Sequence, residues 1–218
     1  MIKRTLTHNW RVLTLGLILS AGLAIAYWQP VDMDTLFVWG EYLTGHPLSL
    51  LLIILTQALV LTLALPGSLL VWVIAPFQPP VIAVPVLVIG SVLGAAGARL
   101  FADTLTRHWQ PGPRSRTIIE LLEKRSDVLT QIALRALPGF PHSVINYAGG
   151  MLKLPWPAYL SAAIIGLSCK WTVYAMAIYG LGTAIHEDAE LSAWQLLPLF
   201  LLAGLFLLAA WIRPRLMK

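Results

Sequence analysis

The sequence predicts an all-α integral membrane protein, with about four transmembrane helices plus two opposed re-entrant helical hairpins forming an inverted repeat. Three observations predict it. Of the 218 residues, 58% are hydrophobic and only 11% charged, whereas soluble domains carry roughly 25% charged residues. Apolar stretches near the ~20 residues needed to cross a bilayer recur along the chain. The basic residues concentrate in three separate groups, at the two termini and in the middle of the chain, and basic flanks mark the cytoplasmic side of a membrane span.

The first apolar run, Val12 to Trp28, follows a basic start of Lys3, Arg4 and Arg11. Ala24-Ile25-Ala26 has the form of a signal-peptide cleavage site, but it lies inside the run, which exceeds the roughly 7–15 residues of a signal core. The run is therefore taken as a retained span, with cleavage as the alternative. Segments 81–98, 155–181 and 193–212 are the other spans. Segments 48–77 and 128–152 are ambiguous, and charge decides them. A single crossing by 48–77 would put the Arg-rich 99–126 loop outside. A hairpin turning at Pro66-Gly67 instead leaves both termini and that loop in the cytoplasm. The outer segments, 29–47 and 182–192, then hold Asp32, Asp34, Glu41, Glu187, Asp188 and Glu190 with no Lys or Arg. The same logic makes 128–152 a second hairpin, turning at Pro138, Gly139 and Pro141. Proline removes a backbone donor and breaks a helix, and such a break at membrane depth needs protein or a wet cavity to cover it.

Pro66, Gly67 and Gly94 match Pro138, Gly139 and Gly166 at a constant offset of 72 residues. The two copies enter from opposite faces, the construction in which transporters hold substrate between broken helices near the midplane. Three regions follow: 1–47 with the first span and outer segment, a core at 48–182, and 183–218 with the last span and a basic tail. Within the core, residues 102–127 form a cytoplasmic connector containing a Pro111-Gly112-Pro113 turn and a short amphipathic helix from Thr117 to Lys124.

The stretch Arg135-Ala-Leu-Pro138-Gly-Phe-Pro141-His-Ser-Val-Ile-Asn146-Tyr147-Ala-Gly149-Gly150 resembles the signature of the VTT-domain membrane proteins, also called the SNARE-associated Golgi protein family, within the DedA superfamily. Pro66-Gly67 and the Gly-rich span after it resemble the first half of that family's domain, so the likeness covers about 48–182. The resemblance implies facing re-entrant hairpins in a small helical bundle of the cell inner membrane. It also implies work on lipids: scrambling phospholipids, or translocating polyprenyl phosphates in support of envelope homeostasis. The sequence departs from bacterial relatives that pair membrane acidic residues with two arginines. Pro141 stands six residues after Arg135, and the hairpins contain no Asp or Glu, which argues against the proton coupling proposed for those relatives.

The candidate lipid-phosphate ligands are Arg135, Lys170 and His142. A charge at membrane depth costs about 2.5–3.5 kcal/mol on insertion scales and by default marks a functional site, and a guanidinium suits bidentate phosphate binding. Arg135 could instead cap carbonyls of its own hairpin, and Lys170 could snorkel along Trp171. His142 is the one core group with an ordinary pKa near neutrality. Gln57, Asn146, Tyr147 and Gly149 are supporting residues that tie the hairpins together, because buried polar groups in lipid need partners. The basic excess is a topology signal rather than a nucleic-acid footprint, and the partners expected are membrane lipids.

No GxxxxGK[ST], HExxH or GxSxG motif occurs, and the five scattered histidines give no metal-ligand spacing. Neither a catalytic residue nor a cofactor or metal is expected, and the protein is not expected to be an enzyme. A small-solute or ion transporter and a non-transporting assembly factor stand beside lipid translocation as alternatives. Reporter fusions check the topology: Arg116 should report cytoplasmic, and Asp34 and Asp188 external. An external Arg116 would overturn both hairpins.

Overall fold

The computed structural model describes residues 33–65, 67–107, 111–186 and 193–216. The expected first span at 12–28, Pro66 of the first turn, and Asp32, Glu187, Asp188 and Glu190 lie outside the described residues. The chain divides into units 1–39 and 40–218, and the second contains the elements that matter for function. All described elements are helical. They are α1 (Met33–Gly45), α2 (Pro47–Thr62), a 3-10 turn (Gly67–Leu70), α3 (Val71–Ile74), α4 (Pro80–Leu100), α5 (Ala102–Leu105), α6 (Pro113–Lys124), α7 (Val128–Ala136), α8 (His142–Met151), α9 (Trp156–His186) and α10 (Ala193–Leu216). The acidic 29–47 stretch thus carries a helix, where the sequence suggested only an outer segment.

Helix starts follow local chemistry. Proline opens α2, α4 and α6, at the first position, where a missing N–H is harmless. Asp127 caps α7, accepting from Thr130 N at 2.9 Å and Thr130 Oγ1 at 2.7 Å. These hydrogen bonds hold its carboxyl below its ordinary value of 3.8. Two helix ends use residues in the left-handed region, Ala64 (φ 61°) after α2 and Lys153 (φ 49°) after α8. Both close Schellman-type caps, through Leu65 N to Val60 O and Leu154 N to Gly149 O.

Two described helices, Pro80–Leu100 and Trp156–Ile185, are long and apolar enough to cross a bilayer. A third crossing arises only if α1 and α2, bent at His46, count as one. In α10 the apolar part, Leu196–Ile212, is shorter. The outside of the molecule is apolar. On α2, Leu48, Leu51, Leu52, Leu55 and Leu59 are exposed while Ile53, Gln57 and Leu61 are buried. A leucine face outside and an amide inside is the reverse of a soluble amphipathic helix. So continuous an exposed apolar surface fits a membrane protein.

Close packing at glycines fixes the helix directions. A Cβ on Gly90 would press on Gln57 and the Ile54 carbonyl, one on Gly94 on Leu61 and Ala58, and one on Gly97 on Thr62. Contacts that advance together along both helices make α2 and α4 parallel. Residues 63–79 must therefore return along α2, which is a hairpin with a short second arm. Helices α4 and α9 are antiparallel, since Ser91 meets Trp171 and Ala95 meets Tyr159. Helix α8 runs against α9, with His142 beside Lys170 and Gly149 beside Tyr159. The α2 break therefore lies at the level of Gly94 to Gly97, and the α7–α8 break at the level of Gly166 to Lys170.

The two halves repeat in detail. A Cβ on Gly94 would lie 2.9 Å from Ala58 O and 2.7 Å from Leu61 Cβ, and one on Gly166 would lie 2.9 Å from Ile132 O and 2.9 Å from Arg135 Cβ. Leu61 and Arg135 thus occupy equivalent places, as do the fully buried Gln57 and Gln131 one turn earlier. One apolar core joins Ile53, Val71, Ile74, Leu87, Leu167 and Trp171. A second sets Ile118 and Leu122 of α6 against Leu134, Phe140 and Ile145. The amphipathic connector helix, longer than the expected Thr117–Lys124, is therefore a packed part of the second hairpin.

Alanine for glycine inside a helix normally stabilises by about 0.5–1 kcal/mol. Gly94→Ala and Gly166→Ala should do the opposite, each losing about 1–3 kcal/mol to overpacking and lowering the melting temperature in detergent. Gly204→Ala, which meets nothing within 4 Å, should show no loss.

Candidate functional site

The two helix breaks line one cavity of about 480 Å³. From the first half come Leu61, Ala64, Leu65, Gly67 to Leu69, Val71, Trp72 and Ser91. From the second come Pro138 to Ser143, Asn146, Leu167, Lys170, Trp171 and Tyr174. The turn needs Gly139, whose φ of +85° is disfavoured for other residues. Among the described residues no Asp or Glu lines the cavity. Leu65, Leu69 and Trp72 are also more than half exposed, so the apolar rim belongs to the molecule's outer surface.

Lys170 is 5% exposed. Its Nζ lies 2.7 Å from His142 Nε2 and 4.6 Å and 5.4 Å from the Trp171 and Tyr174 ring centres. An ammonium only donates, so His142 Nε2 accepts and the ring proton sits on Nδ1. Lys170 also touches Trp171, as snorkelling would require, but it does so facing the cavity. His142 and Ser143 open α8, whose first backbone N–H groups and positive dipole end lie at the cavity wall.

Arg135 is 1% exposed and does not line the cavity. Its guanidinium lies 4.7 Å from the Tyr159 ring centre. Its Nη1 makes only long bonds, to Gln131 O at 3.4 Å and Gln131 Oε1 at 3.5 Å. Nε and Nη2 have no partner among the described residues. Partial capping of its own hairpin thus coexists with a guanidinium that meets an aromatic face but no carboxylate among the described residues. Tyr159 is the hub of this region. Its hydroxyl donates to Ala95 O at 2.9 Å and reaches Asn146 Oδ1 at 3.4 Å, and its ring packs on Gly149. Arg99 stacks on Trp156 at 4.1 Å and donates to Gly149 O at 2.9 Å.

Tyr147 O–H donates to Thr62 O at 2.8 Å, tying α8 to the end of α2. Gln57 Nε2 donates to Ser91 Oγ at 3.0 Å, and Trp171 Nε1 donates to the same oxygen at 2.9 Å. The structure thus brings Lys170, His142, Asn146, Gly67, Pro138, Gly139 and Pro141 to one cavity. Gln57, Tyr147, Gly149 and Arg135 stand behind its wall. Ser91, Gln131, Tyr159 and Trp171 were not singled out from sequence as site residues. Gln131 had a signal, since it precedes Arg135 by one turn as Gln57 precedes Leu61.

A family model described as the VTT domain matches residues 62–180, more than half of the 218 residues. The chain belongs to the VTT domain family. No curated protein and no solved structure matches it. The matched VTT segment runs from the end of α2 through most of α9, so it includes both helix breaks and nearly all of the cavity lining.

Tyr159→Phe should cost the VTT core about 0.5–1.5 kcal/mol through the lost hydroxyl. Tyr159→Leu should cost about 2 kcal/mol more, as Arg135 loses its buried aromatic face. Melting temperatures in detergent should fall in the order wild type, Tyr159→Phe, Tyr159→Leu.

Proposed function

We propose that this VTT protein moves phosphate-bearing lipids across the cell inner membrane, by scrambling or translocation, through the groove between its hairpins. On this reading the hairpins are re-entrant from opposite faces, α4, α9, α10 and the 12–28 segment are the spans, and both termini are cytoplasmic. The observation that carries it is Lys170: a nearly buried cation in a cavity with no carboxylate among the described residues, under an apolar rim that reaches the outer surface. A buried charge without a counter-ion is unfavourable, so the cavity favours an anion. The rim of Leu65, Leu69 and Trp72 favours a ligand whose tail stays in lipid.

Lys170 and His142 contact the phosphate, helped by the α8 N-terminus. Arg135 adds positive potential from behind the wall. With no acidic group among the described residues at the cavity, movement follows the lipid gradient on this reading rather than a proton relay. The protein performs no covalent chemistry and needs no metal or cofactor on this reading.

The test is transbilayer movement of a fluorescent phosphatidylglycerol in proteoliposomes. Lys170→Ala and Arg135→Ala should insert normally yet move lipid at least ~10-fold more slowly, the size expected for loss of a charge-assisted contact. Full activity in both variants sinks the reading. Lower abundance without a transport defect would favour a purely structural hairpin.

A further inference from the structure

Ser91 is 1% exposed, lines the cavity and accepts two hydrogen bonds. A serine hydroxyl has two acceptor lone pairs and one donor proton. Trp171 Nε1 and Gln57 Nε2 fill the acceptor positions, at 2.9 Å and 3.0 Å. The indole N–H is donor-only, so Ser91 has no choice but to accept there. No acceptor among the described residues takes the Ser91 proton. Gln57 is fully buried and outside the cavity lining, and its Oε1 has no partner among the described residues, so it does not take the Ser91 proton. With both acceptor positions filled, the O–H remains for a partner in the cavity.

Trp171 links this hydroxyl to the cation. The indole that donates to Ser91 presents its ring to Lys170 Nζ at 4.6 Å. One side chain therefore sets the positions of two donors, Ser91 O–H from α4 and Lys170 N–H from α9.

We infer that Ser91 is a second ligand-binding donor of this cavity, matching one oxygen of a phosphate group while Lys170 takes another. The inference rests on the proposed reading of the cavity as an anion site and adds its specificity. Two donors from opposed helices suit a group with at least two free oxygens, as the phosphomonoesters and phosphodiesters of the proposed reading have. Gln57 and Trp171 act as positioning residues through Ser91.

The test is titration of the purified full-length protein with dihexanoyl phosphatidic acid and, separately, with inorganic phosphate, followed by calorimetry. Ser91→Ala should weaken binding about 10-fold, the loss expected for a hydrogen bond to a charged group. Ser91→Thr keeps the hydroxyl and should bind within about threefold of wild type. Ser91→Ala leaves two buried donors without an acceptor. If it does not fold, Ser91→Cys, a weak donor of similar shape, should show the same loss. Tighter binding of the lipid assigns the phosphate to a headgroup, and equal binding assigns it to the free ion; the Ser91 role stands in either case. Wild-type affinity in Ser91→Ala, or equal losses in the alanine and threonine variants, overturns the role of Ser91 alone. Wild type that binds neither probe overturns the anion-site reading and this inference with it.

Discussion

Two helices, α2 and α7, stop against one cavity inside the helical core, and their free backbone groups have to be covered there. A buried amide without a partner costs several kcal/mol, so each break needs groups that cover it. The structure meets this constraint by placing the breaks against one cavity, with α4 and α9 as rigid walls. Glycines at 90, 94 and 166 let each first arm lie against its wall at backbone distance. The Tyr147 hydroxyl covers the Thr62 carbonyl at the end of α2, and Arg99 covers the Gly149 carbonyl near the end of α8. The second half thus covers a carbonyl at the first half's break, and Arg99 of the first half adds a bond to a carbonyl that Leu154 N already meets.

The repeat is symmetric in backbone and asymmetric in chemistry. Where the first half has Leu61, the second has Arg135 against its glycine. At the offset of 72 residues, Leu87 and Ala98 stand where the second half has Tyr159 and Lys170. Both cations and the tyrosine that supports Arg135 belong to the second half. The first half contributes neutral donors and the apolar rim instead. A cavity with charge on one wall and hydrocarbon on the other has a direction, which a symmetric pair of hairpins would not have.

Much of this was legible in the sequence because charge and proline are local signals. Pro138 and Pro141 break a helix wherever it lies, and the acidic segments separate cleanly from the basic ones. The glycine offset anticipated the packing, since Gly94 and Gly166 do face equivalent carbonyls. The site itself was only partly legible. Arg135 stood out by its cost in a membrane, yet lies behind the wall, because a helical residue's direction depends on which face its hairpin buries. Ser91 and Trp171 carry no local signal, as they are 80 residues apart and meet only through the antiparallel pairing of α4 and α9. Tyr159 likewise reads as an ordinary aromatic near a span end until Arg99, Arg135 and Asn146 converge on it.

On the proposed reading, a translocator has to release what it binds, and binding must be favourable enough to enter yet weak enough to leave. The Lys170–His142 bond bears on this balance. Within the protein the ammonium meets His142 Nε2 and the faces of Trp171 and Tyr174. An arriving phosphate must compete with those partners, and a departing one is replaced by them without leaving a bare cation. A carboxylate in place of His142 would hold Lys170 too firmly for an anion to compete, and an apolar residue would leave it unsatisfied after release. A neutral acceptor lies between these limits, and histidine with its proton on Nδ1 provides one.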